Sequence, residues 1–140
     1  MTAALAQAEA SLAAGGVPVG AVLASGPDVI AAGHNERVQL GDPVAHGEIA
    51  CLRNAGRQPS YRQMTLYTTL SPCQMCTGAI LLFQIPRVVV GEAGTFAGDL
   101  KFLADLGVSV TLLDDQRCMA VITTVIIALN LALLVVVFTS

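Results

Sequence analysis

The chain has 140 residues, enough for one ordinary domain with a single core, and 54% of them are hydrophobic against 12% charged. Its net charge of −3 leaves seven Lys and Arg scattered singly among ten Asp and Glu. That distribution excludes the clustered basic surface that grips phosphate backbones, so a small neutral ligand is expected and a nucleic-acid partner is not.

The N-terminal stretch Met1 to Ala14 holds no basic residue and no uninterrupted apolar run, which does not fit a signal peptide. Ala3 to Ala14 reads as a first helix, stopped by Gly15-Gly16. Two short apolar runs follow, Val17 to Ala24 and Val29 to Ala32, and the break at Ser25-Gly26-Pro27-Asp28 is a hairpin signal. A polar loop from His34 to Pro43 leads to a second helix over Ala45 to Ala55, closed by Gly56. Met64 to Leu70 is a buried strand; Pro72 opens a third helix that runs to about Gln84. Arg87 to Val90 is a strand, Asp99 to Leu106 a short helix and Val108 to Leu113 a last strand. Alternating strands and helices imply a layered α/β domain with a largely parallel sheet.

Four cysteines without a secretory signal do not read as a disulfide framework, and reduced thiols in a cytoplasmic protein are the default. Two segments carry the chemistry: His46-Gly47-Glu48 opening the second helix, and Pro72-Cys73-Gln74-Met75-Cys76 opening the third. Zinc takes imidazole nitrogen and thiolate sulfur tetrahedrally, and a catalytic site keeps three protein ligands and an open fourth position. Cys73 and Cys76, three apart at a helix start, share a face where the positive helix end favours thiolate. His46 supplies the third ligand. Glu48, two residues on, reaches a metal-bound water without coordinating the metal itself; zinc lowers the pKa of that water from 15.7 to about 7. H-x-E followed by P-C-x-x-C is the known signature of zinc nucleobase deaminases.

A structural zinc site would need a fourth protein ligand. Cys51 points to a different helix face and Cys118 lies at the far end of the domain, so both read as small buried hydrophobes. A thiol redox pair would leave His46 and Glu48 idle.

The chain resembles the fungal-type cytosine deaminases and their bacterial relatives. The residues that carry the likeness are Gly16 to Val22, Gly33-His34-Asn35, His46 to Ile49, Leu66 to Ile80, Ile85 to Glu92 and Asp114 to Cys118. The resemblance implies a three-layer α/β/α sandwich on a mixed, largely parallel five-stranded sheet, one Zn2+ per subunit and a homodimer. It further implies that Asn35 hydrogen-bonds the pyrimidine, that Gly47 offers its backbone N–H to the base carbonyl, and that the Ser71 carbonyl accepts from the departing amine. Phe96 matches an aromatic that packs over the base, with core packing an equal alternative for it. Asn35 also suits a turn, and His34 reads as structural or surface. The implied reaction is hydrolysis of cytosine to uracil and ammonia, within pyrimidine salvage, with Glu48 carrying the protons. Guanine deaminases and tRNA adenosine deaminases are neighbouring readings; the tRNA enzymes typically show His-Ala-Glu and Glu-Pro-Cys where this chain has His46-Gly47-Glu48 and Ser71-Pro72-Cys73.

The likeness ends at Cys118, which sets a deaminase domain at 1–118 and an apolar tail at 119–140. Where the family continues as a polar lid helix with an acidic contact to the amine, Met119 to Phe138 contains only Thr123, Thr124 and Asn130 as polar residues. Twenty helical residues span about 30 Å, a bilayer's hydrocarbon thickness, so 119–138 suits a membrane anchor. A buried final helix would show a polar face, and a tail unrelated to deaminase function is the third reading. With its lid replaced, the protein would alternatively be a zinc-binding, catalytically impaired one attached to a membrane.

Overall fold

The computed structural model describes residues 1–139, with the side chains of all but 130 and 133–139. The elements are α1 (Thr2–Ala13), β1 (Gly20–Ser25), β2 (Asp28–His34), α2 (Arg37–Leu40), α3 (Gly47–Ala55), β3 (Met64–Leu70), α4 (Gln74–Leu82), β4 (Arg87–Glu92), α5 (Leu100–Asp105), β5 (Ser109–Leu112) and α6 (Gln116–Thr139). One five-stranded sheet runs in the order β2-β1-β3-β4-β5. The sheet is mixed, as the resemblance implies. β1 pairs antiparallel with both β2 and β3, and parallel pairing is confined to β3-β4 and β4-β5. The reason is local: the 26–27 turn is too short for anything but a hairpin, whereas β3 and β4 are joined through a helix.

Glycines in the sheet identify the two faces. A Cβ on Gly20 would strike the Ala4 carbonyl of α1, and a Cβ on Gly33 would lie 2.5 Å from the Cys51 nitrogen of α3. Gly33 pairs with Ala21, the neighbour of Gly20, and successive side chains on a strand point to opposite faces. Helices α1 and α3 therefore cover opposite faces. Contacts of α6 with α1 and of α4 with α3 complete three layers. Leu23, Leu66, Ile80, Ile85, Val88, Val90 and Leu103 are fully buried, each contributing roughly 1.5–3 kcal/mol of transfer free energy.

Element positions depart from the sequence reading mainly at the ends. The polar loop includes the one-turn helix α2. The third helix begins at Gln74 and stops at Leu82, because Phe83 caps it and Gln84 turns left-handed at φ 58°. Helix α6 runs through position 118 without a break, so the proposed boundary between domain and tail falls inside one continuous helix. Its buried residues Cys118 and Ile122 face the body, while Ile126, Ile127, Leu129 and Leu131 are exposed. Among the described residues no helix is long and apolar enough to cross a membrane. The side chains at 130 and 133–138, on which the anchor expectation also rests, lie outside those described.

Candidate metal and catalytic centre

Both motifs sit where extended chain turns into helix. His46 is the N-cap of α3 at φ −67°, ψ 159°, and Cys73 is the N-cap of α4 at φ −74°, ψ 175°. Cys73 is thus just outside the helix, and Cys76, three residues on, is fully buried inside its first turn. The first-turn amides of both helices have no partner four residues back, so two positive helix ends converge on one point.

At that point the donor atoms of His46, Cys73 and Cys76 all lie within 4.8 Å of one another. His46 Nδ1 is 3.5 Å from Cys73 Sγ and 3.8 Å from Cys76 Sγ. Zinc bond lengths of about 2.1 Å to nitrogen and 2.3 Å to sulfur, at a tetrahedral angle, require about 3.6 Å between such donors. The trio fits a zinc ion, and its geometry leaves the fourth corner to a non-protein ligand. The other two cysteines stand apart from it. Burial pushes the Cys51 thiol up to about 12 and the Cys118 thiol up to about 11, which marks both as inert.

Glu48 is 3% exposed. Its Oε1 accepts the Thr68 hydroxyl at 3.0 Å, and its Oε2 accepts the Cys76 thiol at 3.3 Å. The carboxylate is aimed by β3 and stands beside the donor trio. Burial, then the Glu48 charge and Cys73, drives the Cys76 thiol far up in pKa. A dication is what such a group of potential anions calls for. Burial and the Arg37 guanidinium hold the His46 pKa down against the pull of Glu48, and the neutral imidazole is the metal-binding form.

A cavity of about 260 Å³ opens over the trio, lined by Val17, Val19, Asn35, Arg37, His46, Glu48, Leu70, Ser71, Cys73 and Phe96. Six of the eight residues expected at a site are in this wall; Cys76 lies behind it and Gly47 sits between His46 and Glu48. Asn35 is 3% exposed, and its Oδ1 accepts the Arg37 backbone N–H at 3.2 Å. It is therefore both the turn residue and a cavity residue, with its amide N–H groups left for the cavity. Gly47 passes so close to the chain just ahead of β1 that a Cβ would lie 2.9 Å from the Val19 carbonyl. Phe96 is 47% exposed, so its alternative assignment to the core is excluded. Ser71 donates its hydroxyl to the Ala97 carbonyl at 2.8 Å. His34 pairs with Gln7 of α1 at 3.0 Å and takes no part.

Sequence reasoning missed Thr68, Arg37, Val19 and Leu70. The signal for Thr68 was a hydroxyl in a buried apolar strand; for Arg37 there was none, since its place depends on how the loop folds back. A larger cleft, of about 820 Å³, lies at the opposite ends of α3 and α4 and gathers Arg53, Arg57 and Arg62. Three of the seven scattered cations are therefore neighbours, although Arg53 is shared with Glu36 and Asp42. None of the expected site residues lines that cleft.

Comparison with known proteins agrees with the geometry. A Candida albicans cytosine deaminase is 51% identical over 118 residues, 82% of this chain and 79% of that protein. A solved structure from work on A-to-I editing by tRNA:A34 deaminases superposes with a TM-score of 0.72 at 31% identity, over 86% of this chain and 96% of that one. The Bacillus subtilis guanine deaminase superposes with a TM-score of 0.59 at 30% identity, over 77% and 68%. The family model of the cytidine and deoxycytidylate deaminase zinc-binding region matches residues 1–92. A donor trio of zinc geometry, a carboxylate held beside it and this match together make the chain a member of the cytidine and deoxycytidylate deaminase family.

Proposed function

We propose that the chain hydrolyses cytosine to uracil and ammonia, with His46, Cys73 and Cys76 holding zinc and Glu48 moving the protons. The observation that carries this reading is the position of Glu48, beside a three-donor set and hydrogen-bonded by Thr68 so that it stays out of that set. A closed structural site would have no use for that carboxylate. Zinc, when bound, supplies an acidified water and polarises the reacting centre. The chain's own residues do the rest. Glu48 accepts the water proton, protonates the ring nitrogen and then delivers a proton to the leaving amine. Asn35 donates its amide N–H to the ring, Gly47 its backbone N–H to the base carbonyl, and the Ser71 carbonyl accepts from the amine. Phe96 covers the ring face.

Identity to the Candida enzyme favours cytosine over guanine or a tRNA adenosine, and a 260 Å³ cavity suits a single free base. The competing reading is a zinc protein with little turnover. It is favoured by α6: among the described residues nothing beyond Phe96 lines the cavity, so no acidic side chain from that helix meets the amine.

Ammonia release from cytosine, guanine and adenosine by the zinc-loaded chain, with Glu48→Ala as control, decides between them. Release from cytosine is expected to fall at least about 10²-fold in the variant, with zinc content unchanged. Equal rates in both proteins would sink the enzyme reading; release from guanine alone would move the substrate assignment.

A further inference from the structure

Glu92 closes β4 and is fully buried, yet no role in metal binding or proton transfer falls to it. Its Oε2 accepts the Thr95 backbone N–H at 2.9 Å, while its Oε1 is buried without a partner among the described residues. The Glu92 backbone carbonyl accepts the Ser71 N–H at 2.9 Å. The Ser71 hydroxyl in turn donates to the Ala97 carbonyl at 2.8 Å. The loop 93–98 is therefore tied on both sides of Phe96, at Thr95 by Glu92 and at Ala97 by Ser71. Gly98, at φ +59°, seals the second tie: a Cβ there would strike the Ser71 hydroxyl oxygen and lie 2.6 Å from the Pro72 carbonyl.

We infer that Glu92 is a positioning residue for the substrate, acting through the Thr95 backbone to hold Phe96 against the cavity. Phe96 is 47% exposed, so burial alone does not fix its orientation. A loop in that state samples many orientations unless its backbone is bonded, and ordering it on binding costs conformational entropy. Glu92 and Ser71 meet that cost before a ligand arrives. The aromatic wall is thereby preorganised, and ligand binding need not order it. The inference rests on the deaminase reading for its kinetic consequence, but not for its structural one.

The chain contains no tryptophan, so Phe96→Trp gives a single fluorescent reporter in the loop. In that background Glu92→Ala is expected to lower the steady-state anisotropy of the reporter and to raise acrylamide quenching about twofold. Glu92→Gln keeps an oxygen for the Thr95 N–H and is expected to leave both unchanged. Glu92→Leu, which keeps the side-chain volume but accepts nothing from the Thr95 N–H, is expected to act like Glu92→Ala and serves in its place if that variant does not fold.

In the native background Glu92→Ala is expected to raise KM for cytosine about tenfold with kcat changed less than threefold and zinc content intact. The same substitution added to Phe96→Ala is expected to raise KM no further, because the residue acts through Phe96. An unchanged reporter, an equal effect of Glu92→Gln, or a KM effect that persists in the Phe96→Ala protein would each overturn the inference. Absence of all deaminase activity would overturn the functional reading alone and leave the fluorescence result standing.

Discussion

Burial of the two cysteines outside the donor trio makes the stability of the fold depend on pH. Cys51 is fully buried at the packing of α3 on β2, its thiol 3.5 Å from the Ala31 carbonyl. Burial raises its pKa from 9.0 to about 12. Below pH 9 the thiol is protonated in both folded and unfolded chains and costs nothing. Between pH 9 and about 12 the unfolded chain gives up a proton that the folded chain keeps, so stability falls by about 1.4 kcal/mol per pH unit. Urea denaturation at pH 8, 9, 10 and 11 is expected to show that decline, and Cys51→Ala is expected to flatten it. An unaltered slope in the variant would mean that Cys118 or another group dominates.

Close approach between elements depends on single glycines. Gly33 lets β2 lie against α3, where a Cβ would stand 2.5 Å from the Cys51 nitrogen and 2.8 Å from the Ala50 carbonyl carbon. Backbone atoms cannot swing aside as a side chain can, so Gly33→Ala must push α3 off the sheet. An overpacking cost of about 1–3 kcal/mol is expected in thermal unfolding. Zinc affinity should fall as well, since the start of α3 carries His46. At a loop glycine with nothing near it, such as Gly26, substitution to Ala is expected to leave zinc affinity unchanged.

The same contrast explains what could be read from the sequence. His46, Glu48, Cys73 and Cys76 were legible because helix starts are written locally, in Pro72 and in the apolar spacing that follows. Element order was legible for the same reason, since strands and helices differ in period and are punctuated by glycine and proline. The Thr68 bond to Glu48, the Glu92 bond to Thr95 and the entry of Arg37 into the cavity were not. Each depends on which strand lies beside which, or on how a loop returns, and neither leaves a periodic trace.

Helix α6 differs from the other helices in leaving its apolar side chains exposed as it extends. Its first turns are anchored: Cys118 lies against Gly91, and Ile122 is 8% exposed. Further on, Ile127, Leu129 and Leu131 are 59%, 65% and 58% exposed. Apolar side chains exposed along successive turns promote association. The 140-residue chain is expected to self-associate or to require detergent in sedimentation velocity. A chain ending at Val125 keeps every buried contact described for α6 and should retain its fold and zinc content while sedimenting as a smaller species. Identical sedimentation of the two would remove any role for the exposed segment in assembly.

The placement of His46 and Cys73 at helix caps also bears on how the protein would respond to a chelator. A bound metal would clamp the two points at which extended chain becomes helix. Its removal would release those junctions before disturbing the five-stranded core. Deuterium uptake by the apo protein should therefore accelerate first at the amides of residues 47–50 and 74–77, while 65–68 and 88–90 keep their slow exchange. Uniform acceleration across all four segments would show instead that the metal supports the sheet itself.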